Sequence, residues 1–456
     1  MNIIPSVISL VVKNDLCIGC GLCIYKCPSK AIKMGWNESG FLVPEVSGKC
    51  DSLGACISVC PFNPYPEDEV KTENELADIY FKETISYHPQ LGKYFGVYAG
   101  YAQEFRLTSS SGGLATFIFT ELLERRIVDF IFSVKESKTP GIHYEYSISK
   151  SKQELFAASQ TKYYPVTLST VFSKINELSG RVAIVGVACF IKSIRLAQYS
   201  DPSLKEKIPF LVGIICGGIK SRFFTEYLAG KAGVQKTHFT KPEFRIKDLN
   251  SSAGDYSFGC FSLDDKQRKT LKMQTVGDMW GTGLFKANAC DFCDDVTTEL
   301  ADISLGDAWL SPYIKDGKGT NVIITRSALA EDILQEGIIS KKLFIENLTI
   351  AGLFSSQQGS FNHRQTALSY RIRNANKNKK LVPPKRSVNS VVNLDFMLVQ
   401  YFRMKTRLKS LEIWKSNPNS EVFDKKIKKH LYILKKMTRI YRFNKSLGNK
   451  IRRKIK

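Results

Sequence analysis

The stretch CIGCGLCIYKCP, from Cys17 to Pro28, constrains this chain more than any other. Its spacing, C-x2-C-x2-C-x3-C-P, is that of an iron–sulfur ligand run, in which the first three thiolates hold one cluster and the fourth reaches a second. Gly19 and Gly21 stand between the first cysteines, where a backbone wrapped around a cage favours residues without a Cβ. A second stretch, CDSLGACISVCP from Cys50 to Pro61, repeats the pattern with Leu53 where a cysteine is due. The pairing predicts one 4Fe-4S cluster on Cys17, Cys20, Cys23 and Cys60, and a second cluster on Cys27, Cys50 and Cys56. Leu53 cannot ligate iron. The second is therefore expected as a 3Fe-4S cluster, or as a 4Fe-4S cluster with one iron lacking a protein ligand, or as a degenerate site that never fills. Asp51, two residues off position, is a candidate substitute ligand.

Twelve cysteines in 456 residues are too few and too clustered for a disulfide scaffold. The opening MNIIPSVISLVVKND has neither the charged start nor the small-residue cleavage site of a secretory signal. The longest apolar run, near FLVGII, falls well short of the roughly 20 residues that span a bilayer. The expectation is a cytoplasmic protein with reduced thiols, peripheral at most to the inner face of a membrane.

The order of motifs suggests an α+β ferredoxin-like two-cluster domain over 8–66 and a partly helical linker over 67–93. An α/β body follows, its first part over 94–180 and its second over 181–355, and then a basic helical tail over 356–456. VYAGYAQE, DFIFSV, RVAIVGV, FLVGIIC and TNVIITRS read as strands, and GGLATFIFTELLERR as an amphipathic helix. Unbroken apolar runs of this kind suit a partly parallel sheet buried on both faces. Of the remaining cysteines, Cys189 and Cys216 each follow a predicted strand, while Cys290 and Cys293 form a C-x2-C pair in KANACDFCDD. Thiols at the ends of neighbouring strands can converge, which would make a third 4Fe-4S site. Buried packing cysteines or half a zinc site are the alternatives that spacing leaves open. The five histidines are scattered and form no metal or catalytic pairing.

The ordered set TSSSGGLATFIFTELL, SQTKYYPV, VAIVGVACFIKSIR, IICGGIKSRFFTEYL, FRIK, ACDFC and ADISLGDAW resembles the family of the coenzyme F-420 hydrogenase/dehydrogenase beta subunit over roughly residues 10 to 355. The resemblance implies an iron–sulfur flavoprotein oxidoreductase that binds FAD rather than FMN and exchanges hydride with a carrier or small substrate. It places Ser109, Ser110, Ser111, Gly112, Gly113, Lys162, Tyr163 and Asp307 at the flavin. It assigns Cys189, Cys216, Cys290 and Cys293 to the body's own cluster. Asp302 and Gly306 belong to the same segment as Asp307. A Ser/Gly loop ahead of a helix suits a phosphate, because free amides and a positive dipole end face it. Bacterial relatives often accompany cell-surface polysaccharide synthesis. The family's usual Thr-Pro-Cys is Val187-Ala188-Cys189 here, its His after the second cysteine is Gly217, and Thr161 replaces a serine. These departures bear on the hydride partner. The expected partners are a one-electron donor or acceptor protein and that hydride carrier. A non-catalytic electron-relay subunit is the alternative function.

From Phe361 to Lys456 there are 27 basic and 4 acidic residues, an excess equal to the +23 of the whole chain. Phe423, Ile427, Leu431, Leu434, Met437 and Tyr441 recur at helical spacing with lysine and arginine opposite. A membrane surface or an acidic protein partner is ranked ahead of ordinary packing on the body, and nucleic acid last, with no such binding expected.

Overall fold

In the computed structural model, residues 3–236, 238–386 and 390–455 are described, with side chains through residue 447. The two cysteine stretches fold alike. Each ends in one helical turn, α1 (Leu22–Tyr25) and α2 (Ala55–Ser58), entered through a left-handed glycine, Gly21 at φ 82° and Gly54 at φ 70°. Between them the chain makes an antiparallel hairpin of β1 (Ile32–Trp36) and β2 (Leu42–Val46). Gly21 is doubly constrained, since a Cβ there would lie 2.1 Å from the Thr167 hydroxyl of the body.

The expected linker is packed rather than free. Helix α3 (Glu73–Tyr80) starts on a Thr72–Glu75 capping box and buries Glu73, Leu76 and Ala77. A small hairpin of β3 (Ser86–His88) and β4 (Gly92–Tyr94) follows.

The body is one eight-stranded sheet to which both halves contribute. In chain order its strands are β5 (Gly96–Ala102), β6 (Phe130–Glu136), β7 (Tyr144–Ser149), β8 (Val182–Val187), β9 (Phe210–Ile214), β13 (Ile303–Asp307), β14 (Asn321–Thr325) and β15 (Leu343–Asn347). Between β9 and β13 comes a separate antiparallel sheet of β10 (Phe239–Ile246), β11 (Ser257–Ser262) and β12 (Arg268–Lys272). The large sheet runs β15-β5-β14-β13-β9-β8-β6-β7. Its centre, β13-β9-β8-β6, is parallel and both flanks are antiparallel. The buried centre explains the unbroken apolar runs: Val182, Ala183, Ile184, Phe210, Leu211 and Val212 are fully enclosed. Successive side chains serve opposite layers. Ala183, Phe210 and Val212 face α4 (Leu114–Glu124) and α10 (Ala328–Ile339). Val182, Ile184 and Leu211 face α6 (Ser169–Ile175), α7 (Ala188–Ser200) and the cysteine-rich head, all within one apolar core. Helices α5 (Lys152–Ala158), α8 (Ser203–Lys207) and α9 (Arg222–Lys231) complete the body.

The tail forms α11 (Ile350–Ser356), α12 (Gln358–Phe361), α13 (Leu368–Lys377), α14 (Leu394–Ser416) and α15 (Ser420–Ile455). The ranking of membrane or acidic partner above packing is corrected for the apolar face. Phe423, Ile427 and Leu434 are buried, and Leu431, Met437 and Tyr441 pack partly buried beside them. Phe423 lies against Phe285 with centroids 4.9 Å apart, and Tyr441 stacks on Phe396 at 4.4 Å. Much of the inner positive charge also turns inward, towards the acidic loop that follows Cys290. Arg371 donates to the Asp291 carbonyl, Arg407 pairs with the Asp291 carboxylate at 3.2 Å, and Lys385 with Asp294 at 3.2 Å. Among the described residues no helix is long and apolar enough to cross a membrane.

Candidate redox site

The structure gathers eleven of the twelve cysteines into three groups. Cys17, Cys20, Cys23 and Cys60 lie close enough to raise one another's ionisation. Burial pushes Cys17 up to about 12, and lifts Cys23 and Cys60 well above the usual range, with the neighbouring thiols adding to it. Backbone amides already point at sulfur: Gly19 N donates to Cys17 Sγ at 3.4 Å and Ala31 N to Cys27 Sγ at 3.3 Å. Buried, mutually repelling thiols become thiolates only against a strong positive charge, which is what bound iron supplies.

Cys56 belongs to a second group with Cys27 and Cys50, and Cys23 and Cys60 of the first group feel it as well. Leu53 is 74% exposed, so the corner of this group without a thiol faces solvent. Asp51 turns its carboxylate to the Leu53 amide at 3.1 Å.

The third group joins elements far apart in sequence. Cys189 sits in the first turn of α7, Cys216 follows β9, and Cys290 and Cys293 come from the loop before β13. Neighbouring parallel strands, β8 and β9, bring the first two together. Burial raises Cys189 well above its usual range, and Cys293, Cys290, Cys216 and Cys20 add to the effect. Amides of Gly218 and Ile219 donate to Cys216 and Cys290, each at 3.2 Å. Arg364, from the tail, reaches Cys293 Sγ at 3.6 Å and also holds the Cys216 carbonyl. The sequence offered no signal for Arg364, because nothing local ties a tail arginine to a cysteine 71 residues earlier. Among the described residues no three His, Cys, Asp or Glu side chains close around a single metal ion. A cubane holds its thiolates farther apart than one ion does. Cys260 lies elsewhere, fully buried in β11.

The Ser/Gly loop enters α4 through Gly113 at φ 86°, where a Cβ would meet the Phe105 backbone at 2.7 Å. A Cβ on Gly112 would meet the Gly100 carbonyl at 2.7 Å. Ser110 Oγ accepts from Thr161 N and Ser111 Oγ donates to the Thr320 carbonyl, so both hydroxyls bind the scaffold. Ser109 Oγ is buried without a partner. Asp302, by contrast, takes both the Arg195 guanidinium and the Leu211 amide on Oδ2, a structural role. Asp307 pairs with Arg245 at 2.6 Å, and Arg245 Nε is buried without a partner. Lys247 donates to the Ser111 carbonyl at 2.7 Å. Burial pulls Lys247 down to about 8, with Arg245 and Arg106 adding to it. Three cations thus converge beside the loop. Arg245 and Lys247 lie in the FRIK motif, where sequence reading assigned no role.

Lys162 donates to the Ala158 and Gln160 carbonyls at 2.9 and 2.6 Å, and burial lowers it to about 7. Between about pH 7 and the ordinary lysine value of 10.5, the unfolded chain binds this proton and the folded chain does not. Stability from this group therefore rises with pH across that window. In flavin-free protein, denaturation curves should show the parent gaining stability relative to Lys162→Met from about pH 7 to about pH 10. A constant difference would reject the lowered value.

Tyr163 presents its ring edge-on to Trp280, centroids 4.7 Å apart. Trp280 in turn occupies the space that a side chain at position 217 would need, since a Cβ on Gly217 would lie 2.7 Å from its ring. The third cysteine group is thereby continuous, through Gly217, Trp280 and Tyr163, with the cations beside the loop.

Comparison with known proteins agrees with this architecture. The N-terminal model of the coenzyme F420 hydrogenase/dehydrogenase beta subunit matches residues 97–173 and the C-terminal model residues 179–350. The chain belongs to the family of the coenzyme F420 hydrogenase/dehydrogenase beta subunit. A 4Fe-4S dicluster domain matches residues 16–63. A component of the F(420)H(2) dehydrogenase of Methanosarcina mazei is 21% identical over 68% of this chain and 82% of its own length. The coenzyme F420-dependent sulfite reductase of Methanocaldococcus jannaschii is 23% identical over 72% of this chain, which spans only 48% of that protein. A chain of the F420-reducing NiFe hydrogenase complex from Methanosarcina barkeri shares the fold at a TM-score of 0.50 and 18% identity, over 66% of this chain and 99% of that one. The family thus accounts for the body, and the dicluster domain for the head.

A flavin is the remaining cofactor implied, and the residues fit its phosphates. Arg245 Nε and Ser109 Oγ are buried donors lacking an acceptor, while Lys247, already bonded to the Arg106, Ser111 and Lys318 carbonyls, adds positive charge beside them. A buried donor without a partner costs about 1–3 kcal/mol, and an anionic oxygen would relieve it.

Proposed function

We propose that this chain is an iron–sulfur flavoprotein oxidoreductase, passing electrons between its clusters and a flavin, FAD rather than FMN, that exchanges hydride with a carrier or small substrate. The ligand sets are Cys17, Cys20, Cys23 and Cys60; Cys27, Cys50 and Cys56; and Cys189, Cys216, Cys290 and Cys293. The observation that carries the reading is continuity: Cys56 neighbours Cys23, Cys20 neighbours Cys189, and Trp280 and Tyr163 lead on from Cys216 to the cation-lined loop. When bound, a flavin supplies the change from two-electron to one-electron chemistry.

The chain's own residues bind and shield. Arg245 and Ser109 would hold the flavin's phosphates beside Ser109–Gly113, Lys247 and Arg106 would add positive charge there, and Asp307 would keep the Arg245 guanidinium in place. Trp280 and Tyr163 keep water out of the space beside Cys216. The second group, open at Leu53, is nearest the solvent and is where a one-electron partner protein would meet the chain. The relatives' names point to coenzyme F420 as one hydride carrier, and to work within multi-subunit assemblies. The outward lysines of the tail remain able to meet an acidic partner or an anionic membrane at the cytoplasmic face.

One observation favours the relay alternative: the Ser110, Ser111 and Lys162 side chains are already engaged with the backbone. Flavin, iron and acid-labile sulfide per chain, measured on protein purified without oxygen, separate the two. The oxidoreductase predicts about one flavin and about 11 or 12 irons, from three ligand sets of which one is incomplete. The same iron without flavin would leave the relay. About eight irons would mean that Leu53 has cost the chain its second cluster.

A further inference from the structure

Helix α7 carries Cys189 in its first turn and Ser193 four residues later, on the same face. Ser193 is fully buried. Its Oγ lies 3.5 Å from Cys20 Sγ and donates to the Val59 carbonyl at 2.8 Å. A single hydroxyl on the body's helix therefore touches one cysteine of the head's inner group and the residue beside another, Cys60. Cys20 is also the head cysteine that Cys189 feels. Thr167 of the body reaches only the Cys20 carbonyl, and among the described residues the other side-chain hydroxyl beside a head cysteine's sulfur, Ser29 at Cys27, is the head's own.

We propose that Ser193 is a positioning residue that sets the potential of the head's inner cluster, making that potential depend on the docking of head to body. The inference rests on the reading that Cys17, Cys20, Cys23 and Cys60 hold a 4Fe-4S cluster. In the metal-free geometry the Cys20 thiol donates to Ser193 Oγ, and the hydroxyl proton goes to Val59. A thiolate bound to iron has no proton to give and can only accept. The hydroxyl then has two acceptors, a neutral carbonyl and an anionic sulfur, and a charge-assisted bond is roughly twice as strong as a neutral one. Ser193 rotates to the sulfur. A hydrogen bond to a ligand sulfur stabilises the form carrying the extra electron and so raises the potential.

The test is a redox titration followed by electron paramagnetic resonance on the anaerobic full chain, comparing the parent with Ser193→Ala. One 4Fe-4S signal should shift to lower potential, with the reduced-to-oxidised ratio at fixed potential falling about tenfold, about 59 mV for one electron. The midpoint of the third group should stay in place, and iron per chain should not change. Unmoved midpoints with full iron would overturn the role of Ser193 alone. A parent chain without a reduced 4Fe-4S signal would overturn the ligand reading, and this inference with it. If Ser193→Ala sheds iron, Ser193→Thr decides: it keeps the hydroxyl and should keep the parent midpoint, and a lowered midpoint in an intact Thr variant would reject the proposal.

Discussion

Replacing Arg386 by alanine should lower the stability of the folded chain by about 3–5 kcal/mol, the usual consequence of leaving buried charges without their partner. Arg386 grips Glu299 with two parallel hydrogen bonds of 2.6 and 2.7 Å, while its backbone amide donates to Asp294. The same guanidinium reaches Asn74 at 3.1 Å and stands 4.0 Å from Glu73, both on α3. All these carboxylates are almost wholly enclosed. Burial pushes Glu73 up, but Lys192, Lys385 and Arg386 outweigh it and hold the group well below its ordinary value. Glu73 therefore contributes stability above the ordinary carboxylate range, and that contribution is lost as pH falls through its lowered value. Arg386 thus clasps three parts of the molecule: the segment after the head, the loop after Cys293, and the chain entering the tail hairpin. Urea denaturation at neutral pH measures the effect, and Arg386→Lys, which keeps the charge without the bidentate fork, should lose less. An Arg386→Ala chain within about 1 kcal/mol of the parent would show that water compensates the exposed carboxylates.

How far this arrangement was legible in the sequence depended on whether the deciding contact was local. The head was readable because cluster ligation imposes a fixed spacing, and the central strands because burial on both faces leaves an apolar run. Cys189, Cys216, Cys290 and Cys293 were placed together by resemblance, with strand-end geometry only suggesting it. Of the flanking antiparallel strands, β7 carries polar residues at alternate positions and β15 is only three apolar residues followed by two polar ones, and neither gave a comparable signal. The tail shows the opposite limit. Helical spacing identified the face containing Phe423 and Ile427, but not what would cover it. A count of lysines and arginines also cannot distinguish those facing solvent from those neutralising Asp291, Asp294 and Glu299. The VPPKR segment from Val382 to Arg386 carries no helix or strand pattern, yet it holds Lys385 and Arg386, whose partners lie about 90 and 310 residues earlier. Long-range pairing of this kind leaves no period or spacing in the sequence. Arg245 is an intermediate case: FRIK was visible as a motif, but its role emerges only when Asp307, Lys247 and the Ser/Gly loop are seen around it.

Replacing Arg245 by methionine should empty the proposed flavin site while leaving the iron in place. Methionine preserves much of the length and apolar bulk that packs near Tyr256 and Trp309, so the change removes charge and donors with the least disturbance of volume. Truncating one partner of a buried, hydrogen-bonded charge pair commonly costs about 2–5 kcal/mol, roughly 30-fold to several thousand-fold in affinity. On a phosphate the loss is of that order, because a guanidinium meets two oxygens at once. A purely structural Arg245, present only to hold Asp307, predicts something different. In that case Asp307→Asn together with Arg245→Met would remove both charges, restore the balance, and recover flavin binding. The clamp predicts no recovery, since the phosphate still lacks its donor. Flavin fluorescence after release, scaled to iron in the same sample, gives the answer directly. Full flavin in the single variant would remove Arg245 from the site, and recovery in the double variant would reduce it to a support for Asp307. Empty sites in both, with undiminished iron, would assign the orphaned Nε to the cofactor's phosphate and place the flavin beside the third cysteine group.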